Sequence, residues 1–310
     1  VIDFSGQVVI VTGAGRGLGR LYALDLARRG AAVVVNDVGG TMSGSGADPT
    51  VADLVVAEIT RAGGVAIASH ESVASPEGGQ AIVGTAVDHF GRLDAVVSNA
   101  GIFQTQPFDE LTVDAWRDML NIHLNGGFYV SQPAFRVMKP QRYGRFVFIC
   151  SSAGLFGQPQ SAHYAAAKAG LFGLSNVIAI EGAEHGILAN TVLPFGYSRM
   201  VYETVGDSER LLGESAFLRA IEPELVVPMV VFLASRACDL THQNYSVGAG
   251  RYARVFAGLA EGWLAERGSA PTAEDVAAHL ADVSATDSFT IPASIFDEVF
   301  GLCSRLGISG

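Results

Sequence analysis

The sequence predicts an α/β protein, a doubly wound parallel sheet in one domain with a helical C-terminal extension. Three observations predict it. Short apolar runs recur without polar alternation, as strands buried on both faces do. Helical patterns separate these runs, and a repeated β-α order calls for right-handed crossovers in one parallel sheet. The first run opens directly into a glycine-rich turn.

Residues 7–12 (QVVIVT) form the first strand, and residues 18–29 the first helix, with Leu21, Ala23, Leu24, Leu26 and Ala27 along it. Residues 31–36 (AAVVVN) are a second, fully apolar strand. Helix 48–62, strand 65–69, helix 76–90 and strand 93–98 follow in turn. Residues 111–139 read as one long helix, then 145–151 as strand, 161–184 as helix and 187–193 as strand. Helix 223–235 and strand 244–247 close the sheet. Residues 39–49 (GGTMSGSGADP) are rich in Gly and Ser and predict a mobile loop. In the tail, Thr272 reads as a helix N-cap followed by first-turn acids, and 294–306 as an amphipathic helix.

At about 150 residues per domain, 310 residues suggest two domains. The motifs instead place all the chemistry in residues 1–250, and leave 251–310 as an extension packed on the same domain or on a subunit neighbour. The chain is 49% hydrophobic and 16% charged, which excludes disorder. Its longest apolar stretch, 225–234, is broken by Pro228 and falls short of the ~20 residues of a membrane span. It begins at Val1, so a trimmed start is expected, and no basic-then-apolar leader opens it. A net charge of −11 argues against nucleic acid. Cys150, Cys238 and Cys303 are far apart and read as reduced thiols, which suggests a cytoplasmic protein. No His, Cys and acid spacing suits a metal.

The turn after the first strand is Thr12-Gly13-Ala14-Gly15-Arg16-Gly17-Leu18-Gly19, a TGxxxGxG pattern and not GxGxxG. Glycines here let the backbone approach a pyrophosphate at a helix N-terminus. A plain Gly-rich turn is the other reading, and the strand–turn–helix context favours the dinucleotide. Asp37 ends the second strand, where a carboxylate binds ribose hydroxyls and repels a 2′-phosphate. That favours NAD. Arg16, beside the phosphate loop, keeps NADP open.

Tyr164 and Lys168 lie four residues apart on one helix face. A phenol with pKa about 10 is a poor base near neutrality, and a neighbouring cation lowers it. Lys168 is one of only two lysines, the other being Lys139. Ser151 ends the preceding strand and supplies a hydroxyl to polarise the oxygen that Tyr164 protonates or deprotonates. His163, beside Tyr164, is expected on the cleft wall.

These residues resemble the short-chain dehydrogenase/reductase family over residues 4–250: TGAGRGLG at 12–19, Asn99-Ala100-Gly101, Ser151, and Tyr164-xxx-Lys168, with Pro194-Phe195-Gly196 similar to its Pro-Gly step. The resemblance implies a Rossmann-like fold and a cofactor held by Gly13, Gly15, Arg16, Gly17, Leu18, Gly19, Asp37, Asn99, Ala100, Gly101, Tyr164, Lys168, Pro194 and Gly196. It implies that Asn99 stabilises the central strands, that Lys168 binds the nicotinamide ribose, and that residues after Pro194 border the nicotinamide. It also implies a homodimer or homotetramer, built on helix 161–184, with its small Ala165, Ala166, Ala167, Gly170 and Gly173, and on helix 111–139.

Asn36-Asp37-Val38-Gly39-Gly40, Ile180-Glu181-Gly182, Ser198-Arg199-Met200 and Val247-Gly248-Ala249-Gly250 are similar to one subgroup, the (3R)-hydroxyacyl-CoA dehydrogenase units of multifunctional enzymes type 2 and related bacterial enzymes. His123 stands where many family members carry a proton-relay asparagine, and is read either as catalytic or as a core histidine satisfied by a carbonyl. The expected function is NAD-dependent interconversion of a secondary alcohol and a ketone, with a 3-hydroxyacyl-CoA as substrate and Arg199, Arg251 and Arg254 as candidates for its phosphates. A steroid or other hydrophobic alcohol is the rival substrate. A non-catalytic nucleotide sensor is the rival class.

Overall fold

The computed structural model describes residues 1–197 and 215–308. Two compact units divide it, Val1–Arg254 and Val255–Gly310. The first is built on β1 (Val8–Thr12), β2 (Ala32–Asn36), β3 (Val65–Ser69), β4 (Ala95–Ser98), β5 (Gly144–Ile149), β6 (Ile187–Phe195), β7 (Gln243–Gly248) and β8 (Arg251–Val255). They form one sheet in the order β3-β2-β1-β4-β5-β6-β7-β8, parallel from β3 through β7. The fold is therefore the expected Rossmann-like doubly wound sheet. Its order reverses between β1 and β4, where open α/β sheets bind ligands at the carboxyl ends of their strands. β8 at the edge was not legible in the sequence. Tyr252 on it donates its hydroxyl to Leu225 O at 2.8 Å.

The strands read as apolar runs because both faces are covered. Every residue of β1 and β5 is buried. The helices are α1 (Gly17–Arg28), α2 (Thr50–Arg61), α3 (Pro76–Phe90), α4 (Val113–Leu120), α5 (Gly126–Gln141), α6 (Ala153–Phe156), α7 (Ala162–Gly182), α8 (Ala216–Ala220) and α9 (Val227–Ala234). α3 shows how local sequence sets an element. Ser75 caps it by accepting from Gly78 N at 3.0 Å, Pro76 opens it, and Gly91 ends it at φ 75°. Buried Asp94 ties two elements together, accepting from Val8 N at 2.8 Å and pairing with Arg92 at 2.7 Å.

The helical stretch expected over 111–139 runs unbroken over residues 113–141, and within it α4 ends at Leu120 and a π-turn, Asn121–Asn125, leads into α5. Residues 39–49, expected as a mobile loop, carry backbone hydrogen bonds. Asp48 N donates to Val38 O at 2.9 Å, Thr41 N to Ser45 O at 2.9 Å, and Phe103 N to Met42 O at 3.1 Å.

The second unit contains β9 (Leu259–Ala260) paired antiparallel with β10 (Phe289–Thr290), and α10 (Ala273–Ala278), α11 (Leu280–Val283) and α12 (Ile295–Leu306). Capping boxes at Thr272/Asp275 and Ser294/Asp297 start α10 and α12. Trp263 stacks on His279 at 4.2 Å. None of the unit's described residues is buried.

Candidate active site

The carboxyl ends of β1, β2, β4, β5 and β6 open into one cleft of about 720 Å³. Its floor at the switch point is locked by Asn99. The Asn99 amide donates to Thr12 O at 3.0 Å and Gly13 O at 3.1 Å, while Asn99 N and Ala100 N both donate to Thr12 Oγ1 at 3.0 Å. Asn99 thus ties the end of β4 to the glycine turn after β1.

The turn must be glycine at Gly19, where a Cβ would lie 2.1 Å from Gly13 O. At Gly17 a Cβ would meet nothing within 4 Å, so the start of α1 presents open backbone to the cleft. Arg16, the N-cap, makes no side-chain cap bond, which leaves first-turn N–H groups for an anion. Asp37 is fixed from both sides: Oδ2 accepts from Gly15 N at 2.9 Å and Oδ1 from Gly39 N at 2.7 Å. Gly15 therefore serves the carboxylate and is outside the cleft lining. Arg16 Nη1 donates to Gly40 O at 3.1 Å, on the rim. The open glycine at the helix start, with a carboxylate fixed at the end of β2, fits a dinucleotide.

The same cleft is lined by Gly13, Leu18, Ala100, Gly101, His123, Ser151, Tyr164, Lys168, Pro194 and Gly196, so the separate motifs converge. Tyr164 and Lys168 come from the first two turns of α7, and Ser151 from the segment after β5. Tyr164 is 7% exposed and Lys168 4%. Burial pushes the Tyr164 phenol up to about 12, against a hydrogen bond from Ser151 that pulls it down. Burial also pushes the Lys168 ammonium down to about 8. Lys168 Nζ donates to Ile149 O at 2.7 Å and lies 5.6 Å from the Tyr164 ring centre.

His163 is not on the cleft wall. It is fully buried, and neither ring nitrogen has a hydrogen-bond partner. Ser198, Arg199 and Met200 lie outside the described residues. Arg251 donates to Ser246 Oγ at 2.7 Å and, like Arg254, does not line the cleft. Of the apolar residues lining the cleft, Phe195 lies in the expected Pro194-Phe195-Gly196 step, whereas Phe103, Phe217, Leu218 and Ile221, with Gln158, were missed. Among these only Phe103, two residues past Gly101, had a nearby signal. Among the described residues no three His, Cys, Asp or Glu side chains could hold a metal ion, and no helix is long and apolar enough to cross a membrane.

A family model for short chain dehydrogenase matches residues 7–204, most of the sheet and all of this cleft up to Gly196. The chain is a short-chain dehydrogenase/reductase. As such it is an oxidoreductase that uses NAD or NADP on a small molecule. This dehydrogenase is 44% identical over 249 residues to peroxisomal multifunctional enzyme type 2 of Mus musculus, covering 80% of the chain and 32% of that protein. It is 41% identical over 278 residues to a putative short-chain type dehydrogenase/reductase of Mycobacterium tuberculosis, covering 90% of the chain and 94% of the relative. The full-length structure of multifunctional enzyme type 2 from Drosophila melanogaster superposes with a TM-score of 0.81 at 30% identity, over 99% of this dehydrogenase and 50% of that chain. The chain thus spans about a third to a half of the multifunctional relatives, and nearly all of the mycobacterial one.

Proposed function

We propose that this dehydrogenase oxidises the secondary alcohol of a 3-hydroxyacyl-CoA with NAD, or runs the reverse reduction. The observation that carries the reading is the convergence of Ser151, Tyr164 and Lys168 beside a glycine-lined cleft with an apolar wall. A bound nicotinamide would supply the two-electron acceptor, taking hydride from the carbinol carbon. Gly13, Gly17, Gly19, Asn99, Ala100 and Gly101 would hold and border the cofactor, with Leu18, Pro194 and Gly196 along its groove. Asp37 favours NAD, because its carboxylate offers acceptors to ribose hydroxyls and repels a 2′-phosphate.

Tyr164 takes or returns the hydroxyl proton. A phenol near 12 is protonated at neutral pH, which readies it to donate during ketone reduction. Ser151 holds the substrate oxygen against the phenol. Lys168, fixed on Ile149 O, stands where its charge stabilises a phenolate when the alcohol is oxidised. Phe103, Phe195, Phe217, Leu218 and Ile221 suit an acyl chain.

We read the molecule as a homodimer or homotetramer. Phe128 on α5 and Val177 and Ile180 on α7 are exposed in the single chain, as are Ile295, Phe296, Val299 and Phe300 on α12. Apolar side chains repeated along helix faces suit subunit contacts. The extension begins at Val255, at the end of β8 and not at residue 251, and we assign it to a subunit contact. Three free cysteines, two of them buried, fit a reducing compartment such as the cytoplasm.

Steady-state rates with NAD on 3-hydroxyacyl-CoA and on free steroid alcohols test the reading. Turnover of the thioester supports it. Turnover of steroids alone moves the substrate to the rival. NADH binding without turnover of any alcohol or ketone makes the protein a nucleotide sensor.

A further inference from the structure

Two rings pack on Tyr164 at right angles. Phe103 lies 5.0 Å away at 87°, and His123 5.3 Å away at 90°. His123 sits in the π-turn, a rare geometry that shifts a helix's side chains out of α register and is frequent at functional sites. The imidazole is 2% exposed. It presses on the loop before Ile102 so closely that a Cβ on Gly101 would lie 2.3 Å from its Cε1.

Two contacts at one ring nitrogen bear on the tautomer. His123 Nε2 is 2.7 Å from Ile102 O and 3.1 Å from Ile102 N. One ring nitrogen cannot donate to the carbonyl and accept from the amide in the same state. The shorter contact assigns an Nε2–H donating to Ile102 O. Nδ1 is then a bare acceptor, buried without a partner. The titratable groups facing the ring are Tyr164, Lys168 and His163, all on α7, and among the described residues no carboxylate bonds it. Protonating Nδ1 would place a cation in an apolar site with no acceptor, near the Lys168 ammonium. Burial and Lys168 accordingly hold His123 well below its ordinary range.

We infer that His123 is a positioning residue and not a proton carrier: a neutral imidazole that fixes the Gly101–Ile102 turn to the π-turn and seats the Tyr164 ring against the cleft. The inference rests on the reading of Tyr164 as the acid/base group. It separates this site from one in which the same helix position relays protons.

Two substitutions test it. His123→Gln keeps an N–H able to reach Ile102 O but cannot carry a proton at these pH values. His123→Leu keeps bulk and loses the bond. The expected result is a fall in kcat of about 10- to 100-fold for Leu, the scale of a misplaced reacting group, with KM little changed. Gln should recover most of that loss, and its kcat/KM profile should keep the wild-type apparent pKa values. Equal loss in both variants would overturn the inference. So would a wild-type ionisation between about pH 5 and 8, the ordinary histidine range, that disappears in both. If Leu fails to fold, the Gln variant alone decides. NMR of the imidazole nitrogens, with His123 assigned by its absence in His123→Gln, needs no turnover. Shifts that stay those of an Nε2–H tautomer across the range support the inference, and a titrating His123 refutes it. Wild-type turnover reports separately on the dehydrogenase reading.

Discussion

Replacing Lys168 with Met should make the ligand-free protein more stable while it removes activity. The ammonium is buried and its pKa is pushed from 10.5 to about 8. That difference is worth roughly 3 kcal/mol against the folded state, at about 1.4 kcal/mol per tenfold change. Met removes this penalty and fills similar space. It also strips Ile149 O of its donor at 2.7 Å, a loss on the order of 1–3 kcal/mol. The net at pH 7 is a gain of about 0–2 kcal/mol, or up to roughly 4 °C in Tm for a domain of this size. The pH dependence fixes the sign. Below about 8 both states of the wild type hold the Lys168 proton and the folded state bears the penalty. As pH rises from about 8 towards 10.5 the folded state releases the proton while the unfolded state keeps it, so the wild type gains stability. The advantage of Lys168→Met should therefore shrink steadily over that window. Denaturant unfolding of both proteins at pH 7, 8 and 9.5 measures it. A variant equally destabilised at all three values would refute the reasoning.

Other outcomes follow from the same geometry. Tyr164→Phe should lower kcat by about 100-fold or more while NADH still binds, as titrated by nucleotide fluorescence. Asp37→Ser should raise the ratio of kcat/KM for NADP over NAD, since it removes the carboxylate held by Gly15 N and Gly39 N. An unchanged ratio would detach Asp37 from cofactor choice. Gly19→Ala should weaken nucleotide binding and lower Tm, because its Cβ would lie 2.1 Å from a backbone carbonyl; calorimetry with and without NAD reads both. Light scattering should find a dimer or tetramer, and a monomer would contradict the subunit role given to the exposed apolar faces.

The sheet was legible because strands such as 31–36 are apolar on both faces, and because Gly13, Gly17 and Gly19 sit between a strand and a helix. The convergence of Asn99, Ser151, Tyr164 and Lys168 was legible through family resemblance, as residues 52 positions apart in the Asn99–Ser151 pair share no local pattern. Other features depend on tertiary structure. Burial raises the Tyr164 pKa, an effect that sums over everything packed around the ring and has no local signal in the sequence. The π-turn shifts side chains out of α register within 111–139, so the orientation of His123 could not be read from helical spacing. Phe217, Leu218 and Ile221 line the cleft from a stretch that carries no motif in the sequence.

In the proposed reaction Tyr164 carries the proton in NAD-linked oxidation of a 3-hydroxyacyl thioester. Its most direct test is NADH formation from NAD and 3-hydroxyacyl-CoA by the wild type and by Tyr164→Phe, measured in parallel. Steady NADH formation by the wild type and near-total loss in the variant are the expected results. No turnover of any 3-hydroxyacyl-CoA, or equal turnover by the two proteins, would contradict it.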